Sequence, residues 1–141
     1  ENAGIVEEIF EAPFDSLLGE IYGSPAEGYR SAGRSYLMSG YYEAAIEALG
    51  AASERGGDRA ESERLSAYAR GMAAYLSRAY AASVEHLAKW AESSQDDPLE
   101  LFRLAQDAVS RVGQLAEGDE RPRIAAAADA LLARLGGKPA L

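Results

Sequence analysis

Apolar residues recur along this chain at three- and four-residue steps, in runs closed by glycine, proline or a short polar cluster, which is the period of amphipathic helices. Over residues 3–22 the stripe Ile5, Ile9, Phe10, Phe14, Leu17, Leu18 and Ile21 is interrupted by Pro13, and predicts a short helix, a kink or break, and a second short helix. Gly23-Ser24-Pro25 is a boundary. Ser24 followed by Pro25 has the order of a helix cap and first turn, with Glu27 completing a capping-box pattern. The helix that starts there carries Gly33, Tyr36 and Leu37 and stops near Ser39-Gly40, where glycine can take the left-handed conformation. Tyr42, Ala45, Ile46 and Leu49 define the next helix, from Tyr41 to Arg55, with Glu43 and Glu47 toward water. Gly56-Gly57 ends it and Asp58 can cap a long helix from Arg59 to about Arg78, with a broad apolar surface of Ala60, Leu65, Ala67, Tyr68, Gly71, Met72, Tyr75 and Leu76. Its mate runs from Tyr80 to Ser94 with Val84, Leu87, Ala88 and Trp90 inward, and Gln95-Asp96-Asp97-Pro98 leads to a new start. A third hairpin follows, from Pro98 to Leu115 and from Pro122 to Leu135, and Gly136-Gly137-Lys138-Pro139 closes the fold.

Gly33 and Ala45 fall on the sides of the first two helices that must face each other, where small side chains let antiparallel backbones approach while Tyr36, Tyr42 and Leu49 fill the flanks. The order Gly33, Tyr36, Gly40, Tyr42, Ala45, Ile46, Leu49 and Ala52 resembles the tetratricopeptide repeat, a helix-turn-helix unit of about 34 residues, with Tyr29 standing where that family usually has a tryptophan. A second copy is offset by 38 residues: Gly71, Tyr75, Tyr80, Ser83, Val84 and Leu87 align with Gly33, Leu37, Tyr42, Ala45, Ile46 and Leu49, while Ala74 takes the place of Tyr36. The added length fits a loop insertion at Gly56-Gly57-Asp58. The resemblance implies an all-α chain of antiparallel helical hairpins stacked as a short solenoid: an N-terminal helical cap over 1–24, the repeat-like domain over 25–135 and a tail over 136–141. The third hairpin reads as a degenerate repeat or a terminal capping pair. The N-terminal segment reads as a cap over the apolar end of the stack, or as a docking helix for a second copy or a partner.

Composition narrows the function. A chain of 141 residues suits one domain and can bury roughly two thirds of its unfolded surface without metal or disulfide. It has no cysteine, which excludes disulfides and thiolate metal sites and leaves the redox compartment unread. A formal net charge of −9 and a pI near 4.6 argue against binding a phosphate backbone, which needs a basic face. No apolar run approaches the roughly 18 residues of a membrane span; Asp129 breaks the alanine-rich segment from Ile124 to Leu132. The chain opens on Glu1, which fits removal of a leader, a lipoprotein tether or a larger parent chain, so the compartment stays open. Lys89 and Lys138 are the only lysines against many arginines, a bias that fits genomic base composition.

Catalytic and metal patterns do not assemble. His86 is the only histidine and lies one turn after Ser83, but Ser83 occupies the small-residue packing position of the second repeat and no nucleophile elbow surrounds it. Neither Asp96-Asp97-Pro98 nor Glu117-Gly118-Asp119-Glu120 has calcium-loop spacing; both precede helix starts, where carboxylates offset the helix dipole. Gly136-Gly137-Lys138 lacks the upstream glycine and the downstream hydroxyl of a phosphate loop. The sequence thus predicts no enzyme, no catalytic or metal residue and no cofactor.

In the family that the sequence resembles, the first helix of each repeat lines a concave groove. The matching positions include Glu27, Arg30, Arg34, Leu37 and Met38, and then Leu65, Tyr68, Met72, Tyr75 and Leu76. Two arginines four residues apart beside tyrosines and methionines have the chemistry of an anchor-plus-clamp peptide site. Arg30 and Arg34 replace two positions of the family's chaperone-tail clamp and Met72 replaces an asparagine, so that specificity does not carry over. The alternative for the same residues is internal: the arginines pair with Glu27 or N-terminal acids and the aromatics pack against capping helices. The functional expectation is a protein-interaction or scaffolding module that holds a protein or peptide segment through Arg30, Arg34, Leu37, Met38, Tyr68, Met72 and Tyr75. Its rivals are a self-associating structural domain, giving a homo-oligomer, and a small-molecule-binding accessory domain of an exported transport system.

Overall fold

The computed structural model describes residues 14–93 and 99–136. The expected helix and break up to Pro13, the connection over 94–98 and the tail from 137 lie outside the described residues. Among the described residues there are seven helices and no strand: α1 over 14–22, α2 Pro25–Met38, α3 Tyr42–Glu54, α4 Arg59–Leu76, α5 Tyr80–Ser93, α6 Leu101–Leu115 and α7 Arg121–Gly136. The chain divides into two compact units, 1–63 and 64–141.

In the first unit the starts and stops are those that the sequence encodes. Ser24 caps α2 by accepting from the Glu27 N–H at 3.1 Å, and Pro25 occupies the first turn, where its missing N–H costs nothing. The helix closes with a Schellman turn. Tyr41 N–H donates to the Tyr36 carbonyl at 2.9 Å and Gly40 N–H to that of Leu37 at 3.2 Å, with Gly40 at φ +83°. Gly56, at φ +88°, ends α3 in the same way, and Asp58 accepts from the Glu61 N–H at 3.1 Å to start α4. Between α2 and α3, Gly33 faces Leu49: a Cβ on Gly33 would lie 2.8 Å from Leu49 Cγ, and both Leu49 and Ala45 are buried. A second glycine seats α1. A Cβ on Gly28 would lie 2.8 Å from Leu18 Cβ, so the missing side chain is what lets α1 lie against α2.

The second unit repeats the hairpin contact. A Cβ on Gly71 of α4 would lie 2.6 Å from Leu87 Cγ of α5, the counterpart of Gly33 and Leu49. Ser83 takes the place of Ala45, and its buried hydroxyl donates to the Gly71 carbonyl at 2.8 Å. Helix α4 ends two residues short of Arg78, because Arg78 itself adopts the left-handed turn at φ 65°: Ala79 N–H reaches the Ala74 carbonyl at 2.8 Å and Arg78 N–H that of Tyr75 at 3.1 Å. Ala60 and Leu76, expected on its apolar surface, are exposed. Trp90 links three helices, with its ring centroid 5.1 Å from Tyr68 of α4 and 5.0 Å from Phe102 of α6. The hairpin of α6 and α7 has no such glycine seat: Gly113 meets Ala128 at an ordinary 3.8 Å, and Ala105, Val109, Val112, Leu131 and Leu135 are buried.

Two sets of substitutions test this packing. Gly33→Leu and Gly71→Leu each force a side chain into occupied space and should destabilise the fold by about 1–3 kcal/mol. Arg78→Gly removes the left-handed strain of a residue that bears a Cβ and should raise stability by about 1 kcal/mol. Denaturant unfolding reads all three, and an unchanged midpoint for either leucine variant contradicts the helix pairing.

Candidate interaction surface

Glu27, Arg30, Arg34 and Met38 recur at steps of three and four and share one face of α2. What positions this face is Glu61, set in the first turn of α4 by the Asp58 cap. Arg30 grips Glu61 in two-toothed fashion, Nε to Oε1 at 2.7 Å and Nη2 to Oε2 at 3.1 Å, and its Nη1 donates to Glu27 at 2.6 Å. Those bonds, that to Glu61 first, hold the Arg30 guanidinium more firmly protonated than usual, against the opposing effect of burial. Arg34 shares the same oxygen of Glu61 through Nη2 at 3.2 Å, while its buried Nε has no acceptor. One arginine is saturated and the other under-used. At the end of this face Met38 is 54 % exposed, beside the exposed edge-to-face pair Tyr36 and Tyr41, with ring centroids 6.4 Å apart.

The other expected site residues are distributed differently. Leu37 is buried in the first unit; Tyr68, at 0 % exposure, and Met72 are buried core residues. With no surface, Tyr68 is a core aromatic against Trp90 and not an anchor that a partner can reach in this conformation. Tyr75 is half-buried and tilted against Tyr80 at 6.4 Å. Helical period marks α4 as apolar over a wide arc, but it does not say how much of that arc other helices cover.

One polar cluster has no sequence signature. Asp15 of α1 accepts from the Tyr29 hydroxyl at 2.8 Å and from Arg55 Nε at 2.6 Å, and the Arg55 guanidinium lies 4.4 Å from the centroid of the Tyr29 ring. Arg55 also donates to the Ala51 carbonyl at 3.1 Å. These residues come from α1, α2 and the end of α3, so no spacing rule joins them. The Arg55 bond holds the Asp15 carboxyl below its ordinary value, burial opposes this, and Tyr29 adds to the lowering.

Ser83 is committed to the Gly71 carbonyl and His86 is half-buried on α5. Among the described residues no three His, Cys, Asp or Glu side chains converge as metal ligands, and no helix is long and apolar enough to cross a membrane. Comparison with family models, with curated proteins and with solved structures returned no match for this chain.

The Asp15 cluster carries a pH signature. Its folded-state value lies below the ordinary 3.8, so its contribution to stability is present above that value and is lost as pH falls through the folded-state value. Asp15→Asn should therefore cost about 1 kcal/mol at neutral pH, a partly exposed pair being worth no more. The gap to the parent chain should close as acid protonates Asp15. Thermal melts across pH check both, and a gap independent of pH contradicts the assignment.

Proposed function

We propose that this chain is a tetratricopeptide-like binding module whose helical hairpins form a short solenoid, and that it works by holding a segment of another protein and not by catalysis. The α2 face carries the reading: two guanidiniums and a half-exposed methionine stand in line on one rigid helix, with Arg34 under-used. The recurrence of the glycine seat at Gly33 and Gly71 supports the repeat character. The chemistry of this face suits a peptide that presents a carboxylate and, beside it, a flexible apolar side chain. The carboxylate engages Arg34, while Arg30 stays tied to Glu61 as a fixed positive neighbour. Met38 offers an adaptable apolar contact. Arg30, Arg34 and Met38 thus form the proposed contact set in the first unit, and in the second Tyr75 is the partly accessible one of the residues that the helical pattern marks. Leu37 lies behind the α2 surface in the core of the first unit, and Tyr68 and Met72 belong to the core of the second.

Capture from the native lysate by the immobilised chain tests this reading, against an Arg34→Ala/Met38→Ala variant with unchanged helix content and melting point. A partner retained by the parent chain should be lost or weakened by about 2 kcal/mol or more in the variant. Identical captures by the two proteins overturn the assignment of the α2 face.

A further inference from the structure

Helix α1 is held by one narrow face. Of its residues 14–22 only Leu18 is buried, whereas Leu17, Ile21 and Tyr22 are exposed. Leu18 enters the bare backbone at Gly28, where a Cβ would lie 2.8 Å from its own Cβ. One turn earlier, Phe14 meets the Tyr29 ring edge to face with centroids 5.8 Å apart, and Asp15 accepts from the Tyr29 hydroxyl and from Arg55. The seat made by Gly28, Tyr29 and Arg55 therefore reads an aromatic residue, an aspartate beside it and a leucine three residues on. Each part is selective: the glycine leaves room for an apolar side chain, and two donors converge on one carboxylate. In the whole sequence the order aromatic-Asp-x-x-Leu occurs once, at Phe14-Asp15-Ser16-Leu17-Leu18. Within this chain the seat fits α1 alone, and every copy brings one.

The link from α1 to α2 is short, Gly23 and Ser24. Gly23 is exposed and closes the turn at φ +90°, with its N–H donating to the Gly19 carbonyl at 2.9 Å. A Cβ on Gly23 would meet nothing within 4 Å, so only the backbone angle asks for glycine there. Pro25 has no N–H with which to continue α1 into α2 as one helix, so the link stays a joint when the turn opens. Opening it alters backbone angles at the joint, while the contacts of the seat can be made by the α1 of either copy.

We propose that α1 is an exchangeable element: the seat on Gly28, Tyr29 and Arg55 of one copy takes α1 of a second, and the reciprocal exchange gives a closed dimer. Monomer and dimer make the same seat contacts, so the joint and the concentration set the balance. Across so short a link the chain's own α1 competes at an effective concentration of about a millimolar. The parent chain therefore exchanges as its concentration approaches that value. The exchange uses neither Arg34 nor Met38, so it stands or falls apart from the partner site on α2.

Sedimentation velocity of full-length variants tests the proposal by reversing the charges. Asp15→Arg sets a cation against Arg55, and Arg55→Asp sets an anion against Asp15, so each variant repels its own α1. Both positions are partly exposed, and both variants should keep their helix content. Mixed, they restore both ion pairs across the two copies and should form a one-to-one dimer at least about tenfold tighter than either variant forms alone. Asp15→Arg/Arg55→Asp in one chain restores the pair internally and should behave as the parent does. Leu18→Asp added to both partners should abolish the mixed dimer. Gly23→Val strains the closed joint without a clash and should raise the association constant at least about tenfold over the parent chain. A mixture that stays monomeric, a mixed dimer that survives Leu18→Asp, or a Gly23→Val chain no more associated than the parent overturns the proposal.

Discussion

The fold depends on how closely two pairs of helices approach. At Gly33 and at Gly71 a helix backbone is bare, and the leucine opposite, Leu49 or Leu87, sits where a Cβ would have been. Glycine in a helix interior costs about 1 kcal/mol relative to alanine. Fully burying a leucine returns about 1.5–3 kcal/mol, and both leucines are fully buried, so burial wins. The close approach then dictates its neighbours. Ala45 and Ser83 must be small, and a hydroxyl is tolerated at Ser83 because the Gly71 carbonyl accepts from it at 2.8 Å. The same seat holds α4 and α5 together at the level where Tyr68 meets Trp90, and Trp90 in turn meets Phe102, so the close pair orders the aromatic core that joins the next hairpin.

Charge does a second, local job. The chain has 23 acidic residues against 14 Lys and Arg, yet several arginines are committed inside the first unit and not left as counter-charge on the surface. Arg30 and Arg34 draw Glu61 toward α2, which fixes where α4 begins after the Gly56-Gly57 loop. Arg55 and Tyr29 hold Asp15 and with it α1. Glu61 and Asp15 are less exposed than the carboxylates of the same-helix pairs Arg59–Glu63, Arg111–Asp107 and Arg123–Glu120, so these contacts weigh more than those pairs.

Much of this architecture was legible because it is local. The Ser24-Pro25 start, the Gly40 and Gly56 stops and the Asp58 cap are signals written within four residues of where they act. That Gly33 lies on the side of α2 facing α3 was legible as well, but the residue seated over it is Leu49, which the helical pattern placed on the flank beside Ala45. Two kinds of information were out of reach. The Asp15–Tyr29–Arg55 cluster joins side chains 14 and 40 residues apart, and nothing in periodicity couples them. The burial of Tyr68 depends on the aromatic stack with Trp90, whereas a one-helix pattern offers the same tyrosine equally as anchor or as core. Arg30 and Arg34 were correctly grouped on one face, but their acceptor, Glu61, lies 31 and 27 residues away on another helix.

The hairpin of α4 and α5 keeps part of the α2–α3 hairpin and exchanges the rest. Gly40 has Arg78 as its counterpart, and the turn survives because the two backbone hydrogen bonds of the Schellman ending do not depend on the side chain; the left-handed φ is simply more costly there. Ala45 has Ser83 as its counterpart, and the added polar atom is satisfied on the spot. Tyr36 has Ala74, and the tip aromatic pair is rebuilt from Tyr75 and Tyr80 at the same 6.4 Å separation that divides Tyr36 from Tyr41. Each exchange is absorbed within its own hairpin. The glycine under the leucine is carried over unchanged, and no local substitute exists for it: any side chain there has to displace Leu49 or Leu87 itself. The likeness of the two hairpins is therefore held by a backbone contact, and residue similarity between them understates how alike they are.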